Sequence, residues 1–151
     1  MRALTVLESV VNFQLPRELL ELLQTGDAER VQGSWPLKNE LDSFGFKFES
    51  ELSQIYSDLV EMSDATTQLS SDFVEDGYYG NSEIENYPNA MLDIVDFSKI
   101  VCFGCSGDGS AFCLDYRENQ KNPSVIWWDD TYWRLVAPSF KDFIALFNFN
   151  S

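Results

Sequence analysis

The chain contains no histidine, and that absence removes more chemistry than any other feature of its composition. Ser-His-Asp triads, Cys-His pairs and histidine-ligated metal sites all need an imidazole. Bases are scarce too: 10 Lys and Arg stand against 25 Asp and Glu, a net charge of −15. A nucleic-acid surface needs clustered cations to meet phosphate, so this balance argues against nucleic acid as a ligand. It argues equally against an anionic membrane surface. No apolar run approaches the roughly 20 residues that a membrane helix requires. The opening stretch carries Glu8 and no apolar segment of signal-peptide length. Only three cysteines occur, Cys102, Cys105 and Cys113, an odd number packed into 12 residues. Secreted disulfide frameworks are even and dispersed, so a reducing cytoplasm is the expected compartment.

What the chain does have is apolar mass. Of 151 residues, 44% are hydrophobic and 15% aromatic, with 12 Phe, 6 Tyr and 4 Trp. A chain of this length buries about 68–70% of its unfolded surface, enough for one unstapled domain. Residues 1–151 are therefore expected to form a single domain.

The order of elements reads as α+β. Thr5-Val6-Leu7-Glu8 fits a capping box for a first helix, and Pro16 to about Gln24 reads as a second. Leu15, Leu19, Leu22 and Leu23 recur there at helical spacing. Thr25 to Asn39 is polar, with Gly26, Gly33 and Pro36, and reads as loop. Phe44, Phe46 and Phe48 alternate like a half-buried strand. Glu51 to about Asp64 is expected as a helix capped by Ser50, followed by a weaker helical piece from Ala65 to Phe73. Glu75 to Asn89 reads as a long loop of turns and tyrosines. Ile100–Phe103 and Ala111–Tyr116 form a hairpin around glycines, Val125–Trp128 and Trp133–Ala137 two further strands, and Ser139 caps a closing helix. The expected architecture is a mostly antiparallel or mixed sheet of about four to six strands, packed by N-terminal helices and a C-terminal helix.

Candidate chemistry is thin. Cys102-x-x-Cys105 with Cys113 gives three thiols where structural zinc wants four ligands, so no metal site is expected and the thiols read as small buried hydrophobes. Gly104-x-x-Gly107-Asp108-Gly109 lacks the Lys-Ser/Thr of a phosphate loop and leads into a strand, which makes it a hairpin turn. Asp108, Asp115, Asp129 and Asp130 fall at turns, where two of them could form the acid/base pair of a carboxylate-dependent hydrolase. Neighbouring strand residues point to opposite faces, so Trp127 and Trp128 cannot share the core of a two-layer fold, and one of them is a candidate anchor for a partner. The most informative stretch is acidic. Between Lys47 and Lys99 there are twelve acids and no base. Such a face either aids solubility or steers a basic partner inward.

Four blocks in order resemble the SUKH superfamily, which includes a fungal cell-wall-assembly regulator and many bacterial immunity proteins. They are Leu15-Pro16-Arg17-Glu18-Leu19-Leu20-Glu21-Leu22-Leu23; Ile100-Val101-Cys102-Phe103-Gly104 with Gly107-Asp108-Gly109-Ser110-Ala111-Phe112-Cys113-Leu114-Asp115; Pro123-Ser124-Val125-Ile126; and Ala137-Pro138-Ser139-Phe140-Lys141-Asp142-Phe143-Ile144. The resemblance implies an α+β fold with a mixed sheet and transfers no catalytic residue. It commonly implies neutralisation of a toxin, often a nuclease, encoded beside the gene.

The leading expectation is accordingly a non-enzymatic cytoplasmic immunity protein, monomeric or weakly dimeric, with no cofactor and a basic toxin domain as partner. A regulatory interaction module is the alternative, and a hydrolase the third. The candidate partner-binding residues are Glu51, Asp58 and Glu61, as a stripe on the expected helix, with Trp128, Asp129 and Asp130 at the strand turn.

Overall fold

The computed structural model describes residues 15–25, 32–48, 50–56, 58–75, 89–91, 94, 96–119, 121–129 and 132–147. The expected first helix at Thr5, the glycine at Gly26 and most of the tyrosine-rich loop lie outside the described residues.

Helix α1 (Arg17–Thr25) follows Pro16, whose carbonyl accepts the Leu20 N–H at 3.0 Å. Strands β1 (Gln32–Pro36) and β2 (Glu51–Ile55) come next, then helix α2 (Leu59–Ser70), which runs into a π-helical turn at Ser71–Glu75. A two-residue strand β3 (Ala90–Met91) precedes β4 (Ile100–Cys105), β5 (Ala111–Asp115), β6 (Ser124–Trp128) and β7 (Trp133–Ala137). Helix α3 (Phe140–Ile144) closes the described chain, with the Ser139 hydroxyl accepting the Asp142 N–H as its cap. One sheet results, in the order β1-β2-β4-β5-β6-β7-β3, and every neighbouring pair is antiparallel. The class is α+β, as the sequence indicates.

Both faces of the sheet are covered. Val101 and Phe103 of β4, Phe112 and Leu114 of β5, and Val125 and Trp127 of β6 join one core with Leu19 of α1 and Phe140 and Phe143 of α3. The intervening residues Ile100, Cys102, Cys113, Ile126, Trp128 and Trp133 form a second core with Phe73 from the π-helical turn. Period-two alternation thus feeds two apolar layers instead of one apolar and one wet. Each fully buried Phe or Leu adds roughly 1.5–3 kcal/mol of transfer free energy.

Four expectations need correction. Glu51–Ile55 is a strand, and the helix begins only at Leu59. β2 is bonded on both sides, to β1 and β4, and that ladder outweighs local helix preference. The stripe through Glu51, Asp58 and Glu61 therefore does not exist as a helical face. The expected loop from Thr25 to Asn39 contains β1, an edge strand that tolerates Pro36 at its end. Phe44 and Phe46 lie in no strand, because their N–H groups donate to the Asp42 carboxylate at 2.8 and 3.0 Å instead of to a ladder. Trp128 is no exposed anchor: it is 8% exposed and packs edge-on against Phe73, with ring centroids 4.8 Å apart. Trp127 is equally covered on the opposite face, which a three-layer arrangement permits.

Candidate binding surface

Of the carboxylates that might have formed a catalytic pair, Asp108 and Asp115 are occupied with structure, and so are the candidate binding residues Glu51 and Asp58. Asp58 caps α2 by accepting the Glu61 N–H at 2.9 Å. Such a cap contributes about 1 kcal/mol. Glu51 reaches from β2 to the glycine turn and accepts the Gly107 N–H at 2.6 Å. Asp108 accepts the Ser106 hydroxyl at 2.6 Å and the Ser110 N–H at 3.1 Å, and these two donors hold its carboxyl below the usual range. Asp115 grips Arg117 through both oxygens, at 2.9 and 2.8 Å, and the bond raises the guanidinium's affinity for its proton. These carboxyls face hydrogen-bond donors and, at Asp115, a guanidinium.

The thiols come together through a bulge. Cys102 faces Cys113 in register, then the ladder slips so that Gly104 pairs with Phe112 and Cys105 with Ala111. The slip turns Cys105 onto the face of Cys102 and Cys113. Tyr56 joins them, and its phenol is pushed up by burial and then by the thiols Cys102, Cys105 and Cys113. Burial also raises Cys105 and, more strongly, Cys113. Thiols so held are protonated and poor nucleophiles. Among the described residues, no group of three or more Cys, Asp or Glu side chains is placed to hold a metal ion, and no helix is long and apolar enough to cross a membrane.

Two surface features remain. The first is the outward side of α2, where Glu61, Asp64 and Gln68 are exposed beside the capping Asp58. The second is the loop between β1 and β2. Asp42, buried within it, pairs with Arg134 of β7 at 2.9 Å, and both side chains are at most 5% exposed. Arg134 also donates to the Lys47 carbonyl at 2.7 Å, lies 5.1 Å from the Phe48 ring centre and stands 3.6 Å from Asp129. Asp129 is thus partly engaged by the clamp, at 31% exposure, and Asp130 lies outside the described residues. Of the residues expected to bind a partner, Asp58 and Glu61 sit together at the start of α2. Glu51, Trp128 and Asp129 lie elsewhere. The clamp itself escaped the sequence reading, since nothing local links Asp42 to a strand 92 residues away.

A family model described as SMI1 / KNR4 family (SUKH-1) matches residues 2–146. The chain belongs to that family. The match takes in every element described above, from α1 through β7 and α3. No curated protein and no solved structure matches the chain. Membership fits the glycine turn after β4, the Asp115 that ends β5 and the Ser139 cap as parts of a fold, for each acts here by hydrogen bonding within the chain.

Proposed function

We propose that this chain acts by binding, as a cytoplasmic immunity protein that covers the basic active face of a toxin domain. The observation that carries the reading is charge. A net −15 includes a stretch between Lys47 and Lys99 with twelve acids and no base. Helix α2 lies in that stretch and turns Glu61 and Asp64 to solvent. A nuclease site is cationic because it must hold phosphate, and an acidic protein surface meets the same need. Within the residues first singled out, the start of α2 is the most favourable part of such a surface. The family supports the class, since it joins immunity proteins and regulators.

The test is genetic and then physical. The C-terminal domain of a large secreted protein encoded in the adjacent reading frame should arrest growth when expressed alone. Co-expression of this chain should restore growth, and the two should co-purify. Continued arrest without a complex would overturn the reading. A regulatory interaction module is the second reading, because the superfamily that the sequence resembles also includes a cell-wall-assembly regulator. A neighbouring frame with no secreted toxin would favour it.

A further inference from the structure

We propose that the loop from Leu41 to Phe46 is the apolar anchor of this interaction, seating its two phenyl rings in an apolar pocket on a cationic protein surface. The inference rests on the binding reading above. Large apolar side chains are rarely exposed among the described residues, and Leu41, Phe44 and Phe46 are 42%, 42% and 44% exposed within six positions. An isolated exposed side chain of this kind needs no explanation, but a cluster on one short loop marks a contact surface.

The loop is also built to hold its rings out. Asp42 accepts the N–H groups of both Phe44 and Phe46, while its own N–H donates to the Phe46 carbonyl at 2.9 Å. Ser43 N–H donates to the Val136 carbonyl at 3.1 Å, which pins the loop to β7. Arg134 holds it from beneath through Asp42 and the Lys47 carbonyl. A buried ion pair is a poor source of stability, since apolar side chains of similar volume serve as well. Its effect here is fixed geometry. A loop already ordered loses little freedom on binding, and aromatic side chains at the centre of an interface carry much of its energy.

Charge chooses the occupant. A second copy also carries −15 and is repelled, as are nucleic acid and anionic lipid. A cationic protein is attracted.

The probe is the adjacent-frame toxin domain, inactivated and purified, against the full chain and its F44S/F46S variant. The variant should keep the wild-type melting temperature, because both side chains are exposed. Its Kd should weaken by at least about 30-fold, mostly through faster dissociation. Leu41→Ser should weaken binding in the same direction and gives the same reading if the double variant loses its fold. A Kd within about threefold of wild type for both variants, with the wild-type chain binding, would overturn the anchor alone. Failure of the wild-type chain to bind would overturn the function reading and the anchor with it. Sedimentation that shows a wild-type dimer dissolved by F44S/F46S would assign the loop to self-association and overturn the cationic partner.

Discussion

The Asp42 and Asp108 turns share their local chemistry. Asp42 accepts the N–H two residues on, from Phe44, and Asp108 does the same from Ser110. Each turn contains a glycine in the left-handed region, Gly45 at φ +85° and Gly109 at φ +89°. What differs is the surroundings of the carboxylate. Asp108 stands at the surface and organises only its own hairpin. Asp42 is buried against Arg134, and its loop lifts Leu41, Phe44 and Phe46 into solvent. The same short motif therefore serves as a simple turn in one place and as a rigid platform in the other. The distinction comes from tertiary contacts with β7, from Arg134 to Asp42 and the Lys47 carbonyl and from Ser43 to the Val136 carbonyl.

The largest test of this contrast is Asp42→Ala. It leaves the buried Arg134 with only the more distant carboxylate of Asp129, 3.6 Å away, and the loss should be about 3 kcal/mol by urea unfolding. Asp108→Ala should cost no more than about 1 kcal/mol, the value of an ordinary hydrogen bond. Equal losses would remove the contrast. At the next scale, Gly45→Ala and Gly109→Ala should each lose about 1–2 kcal/mol, because both backbones strain an L side chain. A clear difference between them would show that the clamp acts on the backbone as well.

The smallest effects separate the two turns by pH. Asp108 has a folded value below its ordinary 3.8, held down by Ser106 and Ser110. Its contribution is present above the unfolded value and is lost as pH falls through the folded one. Tyr132 beside the clamp moves the other way, pushed up to about 12 from an ordinary 10.0 by burial and then by Asp129. Its contribution is present below 10.0 and is lost as pH rises through about 12. Asp108→Asn should flatten only the acid limb of the urea midpoint against pH, and Tyr132→Phe only the alkaline limb. Crossed effects would contradict the assignment of the acid limb to the Asp108 turn and of the alkaline limb to Tyr132 beside the clamp.

The parts of the fold that were legible in the sequence are those whose signals are local and mutually consistent. Strand β7 was read with its observed bounds, and the Ser139 cap was found, because strand composition and capping residues act within a few positions. Helix α1 was marked by Pro16 and its leucine spacing. Leu52 and Ile55, three apart, resembled a helical face, but the ladder to β1 and β4 decided the matter. Asp58 and Glu61 stand at capping-box spacing, which signals the true start of α2, and the same spacing also fits a helical stripe. Trp127 and Trp128 end a continuous apolar run from Val125, and such runs, in place of strict alternation, are the local sign of strands covered on both faces, which a two-layer reading passes over. For the binding surface, the acidic α2 was readable as charge. The Phe44–Phe46 platform was not, because alternating phenylalanines look the same whether they face a core or water.

The association rate of this chain with the proposed toxin domain, followed as ionic strength rises, tests the central claim most directly. Charged faces act over about a Debye length, roughly 10 Å at 0.1 M salt. A binding surface steered by this chain's acids should therefore lose association rate steadily between low and high salt, while dissociation changes little. A rate that stays level across that range would contradict an acidic face recognising a basic partner.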